Sequence, residues 1–343
     1  MRKVRALFAL LLTAVSAVPA PAQQRDWNDR LISRGVVADG RLWLRTQSGG
    51  LIGIEEARGR RFDADLGEEV RDICAQDGAL LAVTGNLASG RWNLRRRARE
   101  IWRFVASVPS QSDIFTGMDC NAGRVTLLTN RRIIEIGPGG TRGVPLRSEL
   151  TLHPARVVLL GTPDQLYAGA NAGEWGGGLH RIERATGRVT SFGGHGPGGC
   201  DALHLLCRQI GAILPAPWRP DCVVVAVGVV HFFPSGHLVQ LCGDEATLLY
   251  SSPVLISDEE DGPRYSTEAF FGLLPAADRV IATGTAGLYL VGGDGSVQKV
   301  PYPSFRRVRG VDLSFDLPGV ALVVTQIDRQ VSFSVGSPLL IAR

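Results

Sequence analysis

A unit of strand, tight turn, strand, loop and strand recurs seven times along this chain, and that recurrence limits the available folds more than any other feature. The second strands begin at Leu42 (RLWLRTQ), Leu80 (ALLAVTG), Val125 (RVTLLTN), Leu166 (QLYAGAN), Leu238 (HLVQLCG), Val280 (RVIATGT) and Val320 (GVALVVT). Their spacings are 38, 45, 41, 72, 42 and 40 residues, so one interval is anomalous. A Cys-containing insertion at 193–221, which lacks a strand pattern, accounts for the excess of about 30 residues. First strands are expected at 31–38, 70–76, 114–120, 155–161, 222–233, 267–274 and 310–317. The turns Asp39-Gly40 and Asp77-Gly78 join first to second strands with residues that tolerate positive φ. Third strands are expected at 51–55, 100–105, 132–136, 179–182, 248–250, 287–291 and 331–335, with fourth strands such as 297–300 and 338–341.

Four antiparallel strands in a unit of about 42 residues, repeated seven times, predict an all-β fold, a seven-bladed β-propeller. A β-sandwich pair would not show near-equal intervals, and a parallel β-helix has a much shorter repeat. The repeat outranks the length prior, so 23–343 reads as a single propeller domain with the insertion at 193–221. The apolar run 223–230 is too short to span a bilayer as a helix. Its unbroken apolar character suits an innermost strand covered on both faces.

With these strands in place, the chain resembles the broad propeller superfamily of WD40-like and YVTN-like repeats, without the Gly-His to Trp-Asp pairing of WD40 blades. The phrase Gly173-Glu174-Trp175-Gly176-Gly177-Gly178, leading into a strand, resembles blades of exported bacterial propeller proteins. The resemblance implies an architecture and no particular activity.

Arg2, Lys3 and Arg5 precede an apolar run at 6–18 and the small-residue site Ala20-Pro21-Ala22, the pattern of a secretory signal peptide over 1–22. Its removal takes three basic residues, leaving 34 basic against 33 acidic ones and a formal charge of +1 in place of +4. The basic balance of the whole chain therefore gives no support to a nucleic-acid partner. No transmembrane segment is expected after cleavage, and the location is periplasmic or secreted.

Six cysteines in an exported chain point to disulfides, since that compartment is oxidising. Cys74 and Cys120 fall near the ends of the first strands of adjacent units, where equivalent positions lie side by side. Cys200, Cys207, Cys222 and Cys242 are expected to staple the insertion to the ring. A zinc site is the rival reading, weakened by the lack of any Cys-x-x-Cys pair.

Propeller geometry gathers the loop 171–178, the insertion 193–221, the acidic loop 257–268 and the basic loop 86–99 on one face, an orientation taken from the fold by analogy. Asn171, Glu174 and Trp175 are candidate ligand-binding residues: an oxygen acceptor beside an aromatic platform suits sugars or peptides, and a tryptophan between glycines can equally cap a blade edge. Arg91 and Trp92, with Arg95, Arg96, Arg97 and Arg99, could hold an anionic partner or form a solvated charged loop. His195, His204, His231 and His237 lack a carboxylate at a defining spacing, so ordinary positions suit them. There is no Gly-x-Ser-x-Gly elbow, no His-Glu-x-x-His and no nucleotide-binding glycine loop.

These features predict an exported binding or scaffold protein presenting a loop-rich face to a protein, peptide or glycan, without a cofactor or metal. The alternative is a lactonase-like or lyase-like propeller enzyme, with Asn171, Glu174 and Asp201 supplying oxygens to a divalent cation. The leader pattern carries its own expectation: N-terminal sequencing of the exported protein should start at Gln23, give or take a few residues. An intact Met1 would refute it.

Overall fold

The computed structural model describes residues 31–343 apart from 57–58, 86–88, 99, 122, 153–156, 193–202, 260–261, 309–310 and 326–337. The leader 1–22 and the expected strand 331–335 lie outside the described residues. Seven four-stranded antiparallel sheets form the blades of a β-propeller. Blade 1 comprises Ile32–Ala38, Arg41–Thr46, Leu51–Glu55 and Arg60–Ala64. Blade 2 comprises Val70–Gln76, Ala79–Thr84, Arg91–Ala98 and Ile101–Pro109. Blade 3 runs through Phe115–Asp119, Val125–Thr129, Arg132–Gly137 and Gly140–Pro145. Blade 4 follows with Val157–Gly161, Gln165–Asn171, Gly177–Glu183 and Val189–Ser191.

Blade 5 departs from the sequence expectation. Its first strand is Ile210–Ala216, inside the segment expected to lack strands, and its second is Arg219–His231, paired with Phe233–Cys242 and then Glu245–Tyr250. The run 223–230 is thus a second strand, not the innermost one. Both positions are covered by neighbouring sheet faces, which is why the apolar pattern did not separate them. The first strand escaped notice because Pro215 interrupts it, at a register shift between Pro215 and Ala216. An innermost strand has one unpaired edge, where a proline costs no ladder bond. Blade 2 shows a smaller shift: 91–98 is its third strand, so the expected third strand at 100–105 belongs to its fourth.

The excess length divides between the connection into blade 5 and a separate two-stranded hairpin, Pro253–Glu259 with Gly262–Thr267, before blade 6. Blade 6 is regular, with Phe270–Ala276, Arg279–Gly284, Leu288–Gly292 and Val297–Val300. Blade 7 pairs Arg306–Val308, Val311–Ser314, Val320–Thr325 and Leu339–Ala342 in that order. Its last strand contacts the first strands of blades 6 and 1. The chain therefore traces blade 7 from the outside in, and its C-terminal strand closes the inner ring.

Asp39 and Gly40 have φ of 52° and 69°, and Asp77 and Gly78 have 50° and 72°, the two positive values that a tight twisted hairpin needs. Turns between first and second strands share one face of the ring with those between third and fourth. Loops between second and third strands share the other face with the blade-to-blade connections. Cys74 is bonded to Cys120, joining blades 2 and 3 beside the channel as expected. Cys222 is bonded to Cys242, its direct cross-strand partner at a Cα separation of 4.3 Å. This bridge lies within blade 5 and does not staple an insertion to the ring; Cys207 is also disulfide-bonded, and Cys200 lies outside the described residues.

Charged side chains cross the blade junctions as well. Arg97 of blade 2 pairs with Asp39 of blade 1 at 3.3 Å, and its guanidinium stacks 4.8 Å above the buried Trp43 ring. Arg184, 4% exposed, lies 3.0 Å from Glu135 and 3.7 Å from Asp119 of blade 3, and donates to Thr126 Oγ1 at 2.8 Å. Burial raises the Asp119 carboxyl above its ordinary range, and the Asn121 and Gly161 amides with Arg184 oppose that rise. Removing one partner of a buried ion pair strands the other, at about 3–5 kcal/mol. Arg184→Met should lose stability of that order in urea unfolding at neutral pH. The loss should shrink as the pH falls through the Asp119 pKa, because a protonated carboxyl needs no cation; a pH-independent loss below 1 kcal/mol would refute the assignment.

Candidate functional site

The loop after the second strand of blade 4 is built on Asn171. Its Oδ1 accepts the Gly173 amide at 3.0 Å, and its Nδ2 donates to the Gly228 carbonyl of blade 5 at 3.0 Å. Asn171 is buried, with both ends of its amide engaged, so it positions the loop and offers no free oxygen to a ligand. Gly173–Trp175 forms a single 3-10 turn, closed by the Ala172 amide on the Gly176 carbonyl at 2.9 Å. Gln209 Nε2 donates to the Gly173 carbonyl at 2.8 Å, and a Cβ at Gly178 would lie 2.9 Å from the Leu206 carbonyl oxygen. Gly177 and Gly178 are thus required by the close passage of 206–209, whereas Gly173 and Gly176 answer to their positive φ of 64° and 106°, and the loop meets this later segment at the junction of blades 4 and 5. Trp175 crowns the turn at 85% exposure. The side chain of Glu174 lies outside the described residues, as does Asp201.

Arg91 and Trp92 lie elsewhere, on the third strand of blade 2. The stretch expected as a basic loop is strand over 91–98, and alternation turns Trp92 inward to 6% exposure, edge-on to Phe115 at 5.6 Å between centroids. Trp92 is core, packed between blades 2 and 3. Arg91 is exposed but held by Ser107, with Nε donating to Oγ at 2.6 Å and Nη2 to the carbonyl at 3.1 Å. These two residues do not join the blade 4 loop in one site.

Two neighbours of that loop were missed. The second and third strands of blade 5 run past the ring as a long hairpin, paired from Cys222–Cys242 to His231–Phe233. Phe232 forms its tip with φ of 58° and 81% exposure. A bulky residue at positive φ is a conformational outlier. Phe233 is also exposed, and the His231 ring lies edge-on to Phe232 at 4.1 Å. Gly228 and Gly236 face each other at the base of this finger, and a Cβ on either would overlap the backbone of 268–270. A sequence signal existed: two uninterrupted strand patterns flank His231-Phe232-Phe233, longer than any other blade requires.

The hairpin 253–267 braces the finger. The Ser266 hydroxyl donates to the Pro234 carbonyl, and the Gly236 amide donates to Thr267 Oγ1 at 3.0 Å. Its exposed Leu255 and Tyr265 extend the apolar surface. At its base, buried Glu268 accepts the Thr285 hydroxyl at 2.9 Å and the Ala286 amide at 2.7 Å, fastening the hairpin to blade 6. Burial first, and the Glu268 charge second, push the nearby Tyr289 phenol well above its ordinary pKa, so it remains protonated. Among the described residues, no group of three or more His, Cys, Asp or Glu side chains gathers as a metal site, and no helix is long and apolar enough to cross a membrane.

No protein-family model and no curated protein matches the chain. Among solved structures, YCF48 bound to D1 peptide is similar in fold, with a TM-score of 0.52 and 11% identity over 89% of this chain and 94% of that one. The extracellular domain of the putative one component system BT4673 from B. thetaiotaomicron gives 0.50 and 12% over 86% of this chain. There the match spans 37% of the other protein's length. At these identities the likeness concerns the fold.

The two tryptophans should respond oppositely to truncation. Trp92→Ala should cost about 3–5 kcal/mol in urea unfolding, through the cavity it leaves. Trp175→Ala should stay within ~0.5 kcal/mol, as for a surface side chain. A large loss for Trp175→Ala would show that it caps the blade edge.

Proposed function

We propose that this protein is an exported binding propeller whose loop-rich face, at blades 4 to 6, receives a protein or peptide. The observation that carries the reading is the solvent-facing placement of Trp175 and Phe232 on backbone that neighbouring segments hold in position. Neither side chain packs between blades, and binding residues concentrate on such loops above a rigid scaffold. Exposed aromatic anchors of this kind dominate the energetics of protein interfaces. Export is supported by the leader pattern and by the Cys74–Cys120 and Cys222–Cys242 bridges. A protein of similar fold, YCF48, has been solved with a peptide bound, which supports the class of partner without identifying it.

Selection of random-sequence displayed peptides against the mature protein provides the test. Enriched peptides should bind on the order of tenfold or more weakly to the variant carrying Trp175→Ala and Phe232→Gly. Glycine suits the positive φ at 232, so the variant should keep its unfolding midpoint. Equal affinity for both proteins, or no enriched peptide, would remove the reading.

A further inference from the structure

The outer strand of blade 2 is unlike the outer strands of the other blades. It runs nine residues, Ile101–Pro109, where the others run three to six. A long outer edge presents a row of unpaired N–H and C=O groups, and native sheets commonly blunt such edges by keeping them short. This one also carries Ile101, Phe104 and Val105, all exposed. Ile101 and Phe104 are three residues apart, so their side chains stand on opposite faces of the sheet. Between them Trp102 meets the buried Trp43 ring of blade 1, with centroids 6.5 Å apart, and holds the strand to the ring. Charge sets the edge apart as well. Arg91, Arg95, Arg96, Arg97 and Arg103 lie on its paired third and fourth strands. Among the described residues, Arg95 pairs with Glu68, and Arg97 with Asp39 and Glu100. Arg91 is held by the hydroxyl and carbonyl of Ser107, which carry no charge. Arg96 and Arg103 sit directly opposite each other across the ladder. Like charges so placed destabilise a sheet unless a counter-charge lies between them.

We infer that this edge is a second interaction surface, which takes an extended acidic segment of a partner protein as an added strand along 101–104. Strand addition joins backbone to backbone and sets alternate side chains of the guest on either face of the sheet. Apolar guest residues cover Ile101 on one face and Phe104 on the other, and Asp or Glu side chains reach the opposed Arg96 and Arg103. The register shift at Leu94 and Arg95 leaves Val105 outside the ladder, which confines regular pairing to the first half of the strand. Charge complementarity decides among occupants. A basic segment would meet three cations that have no carboxylate partner among the described residues. A second copy joined edge to edge by a two-fold axis would bring the Arg96 and Arg103 pairs of both copies to one interface. A planar anionic bilayer suits the charge, but it meets one face of a sheet at a time, and the apolar side chains here lie on both.

The test uses the mature protein carrying Trp175→Ala and Phe232→Gly, which removes the anchors of the loop-rich face, so that its outcome is independent of the function proposed above. Random-sequence displayed peptides selected at low ionic strength should be enriched in segments that alternate Asp or Glu with apolar residues. Their Kd should rise roughly fivefold or more between ~50 and ~300 mM salt, as the Debye length shortens. Arg96→Gln with Arg103→Gln should weaken binding about fivefold and flatten that salt dependence. Phe104→Thr should weaken binding about tenfold and preserve it, which separates the two contributions. None of these three side chains is buried, so the variants should keep their unfolding midpoints. Bound peptide should also slow hydrogen exchange at the amides of 101–104, an effect that attachment through side chains alone would not produce. No enrichment, enriched peptides that are basic or uncharged, affinity that ignores the arginine variants, or unchanged exchange at 101–104 would each overturn the inference and leave the loop-rich face untouched. Cosedimentation with phosphatidylglycerol vesicles, or a dimer in light scattering that Phe104→Thr dissociates, would overturn it in favour of those occupants.

Discussion

The loop-rich face holds its shape only if the ring beneath it is closed, and closure rests on one four-residue strand, Leu339–Ala342. It lies between the first strands of blades 6 and 1, and glycine receives it on each side. A Cβ at Gly35 would overlap the Ile341 side chain, and one at Gly272 would lie 2.9 Å from Leu340 Cβ. Ile341 then joins Leu42, Leu44, Ile52 and Ile54 of blade 1 in a single apolar cluster, with Val311, Leu313 and Val323 of blade 7. Because the chain enters blade 7 at the outer edge, the ring closes by packing of inner strands. Among the described residues, no strand is shared between the chain's two ends within one sheet. Closure of this kind depends on shape at two glycines and on buried apolar area, which carries no directional hydrogen-bond signature.

The other junctions meet one geometric need with different chemistry. The first turn of one blade lies over the end of the third strand of the next, and something must fill that space. Between blades 1 and 2 it is Arg97, stacked on Trp43 and paired with Asp39. Between blades 3 and 4 it is Arg184, among Asp119, Thr126 and Glu135. Between blades 5 and 6 the direction reverses, and Trp218 from the turn of blade 5 covers Gly293, with its indole donating to Gln240 at 2.7 Å. Blades 2 and 3 use the Cys74–Cys120 bridge beside the channel. A cross-link closing a loop of this length contributes about 4 kcal/mol in the chain-entropy account. Equivalent positions therefore hold Arg, Trp or Gly according to the local solution, and the repeat survives as strand rhythm without a shared signature.

That distinction explains what the sequence disclosed. Second strands outside blade 5 were legible because each is sandwiched between neighbouring blades, so LWL, LLAV and TLL stay apolar wherever they occur; in blade 5 the segment expected as second, from Leu238, is the third strand. Asp-Gly turns were legible because positive φ selects their residues. The same sandwiching hid the position of Val223–Val230 within blade 5, since innermost and second strands can both be covered. Trp92 was misassigned because five nearby arginines dominate the composition, although Trp92 and Leu94 keep the period of two that buries them. The reversed path of blade 7 left no local trace, because strand order depends on which neighbour each strand meets and not on its own pattern. At the candidate site the glycines of 173–178 marked the loop: Gly173 and Gly176 serve its positive φ, but the reason for Gly177 and Gly178 is the passage of 206–209, a contact distant in sequence.

The finger of blade 5 shows how the scaffold and the site are kept apart energetically. Gly228 and Gly236 weaken a strand, since each loses more conformational freedom on folding than any other residue would. Opposed in one ladder they let the backbone of 268–270 come close, and that approach holds the hairpin against the base of blade 6. The cost is borne at the buried base, while Phe232 at the tip retains a strained φ and an exposed ring that contribute nothing to blade packing. A side chain presented on such braced backbone loses little further freedom when a partner arrives, and reduced ordering cost is a direct route to affinity. Strain at the tip and rigidity at the base are therefore complementary: the first is tolerated only because the second removes the alternatives into which a free loop would relax.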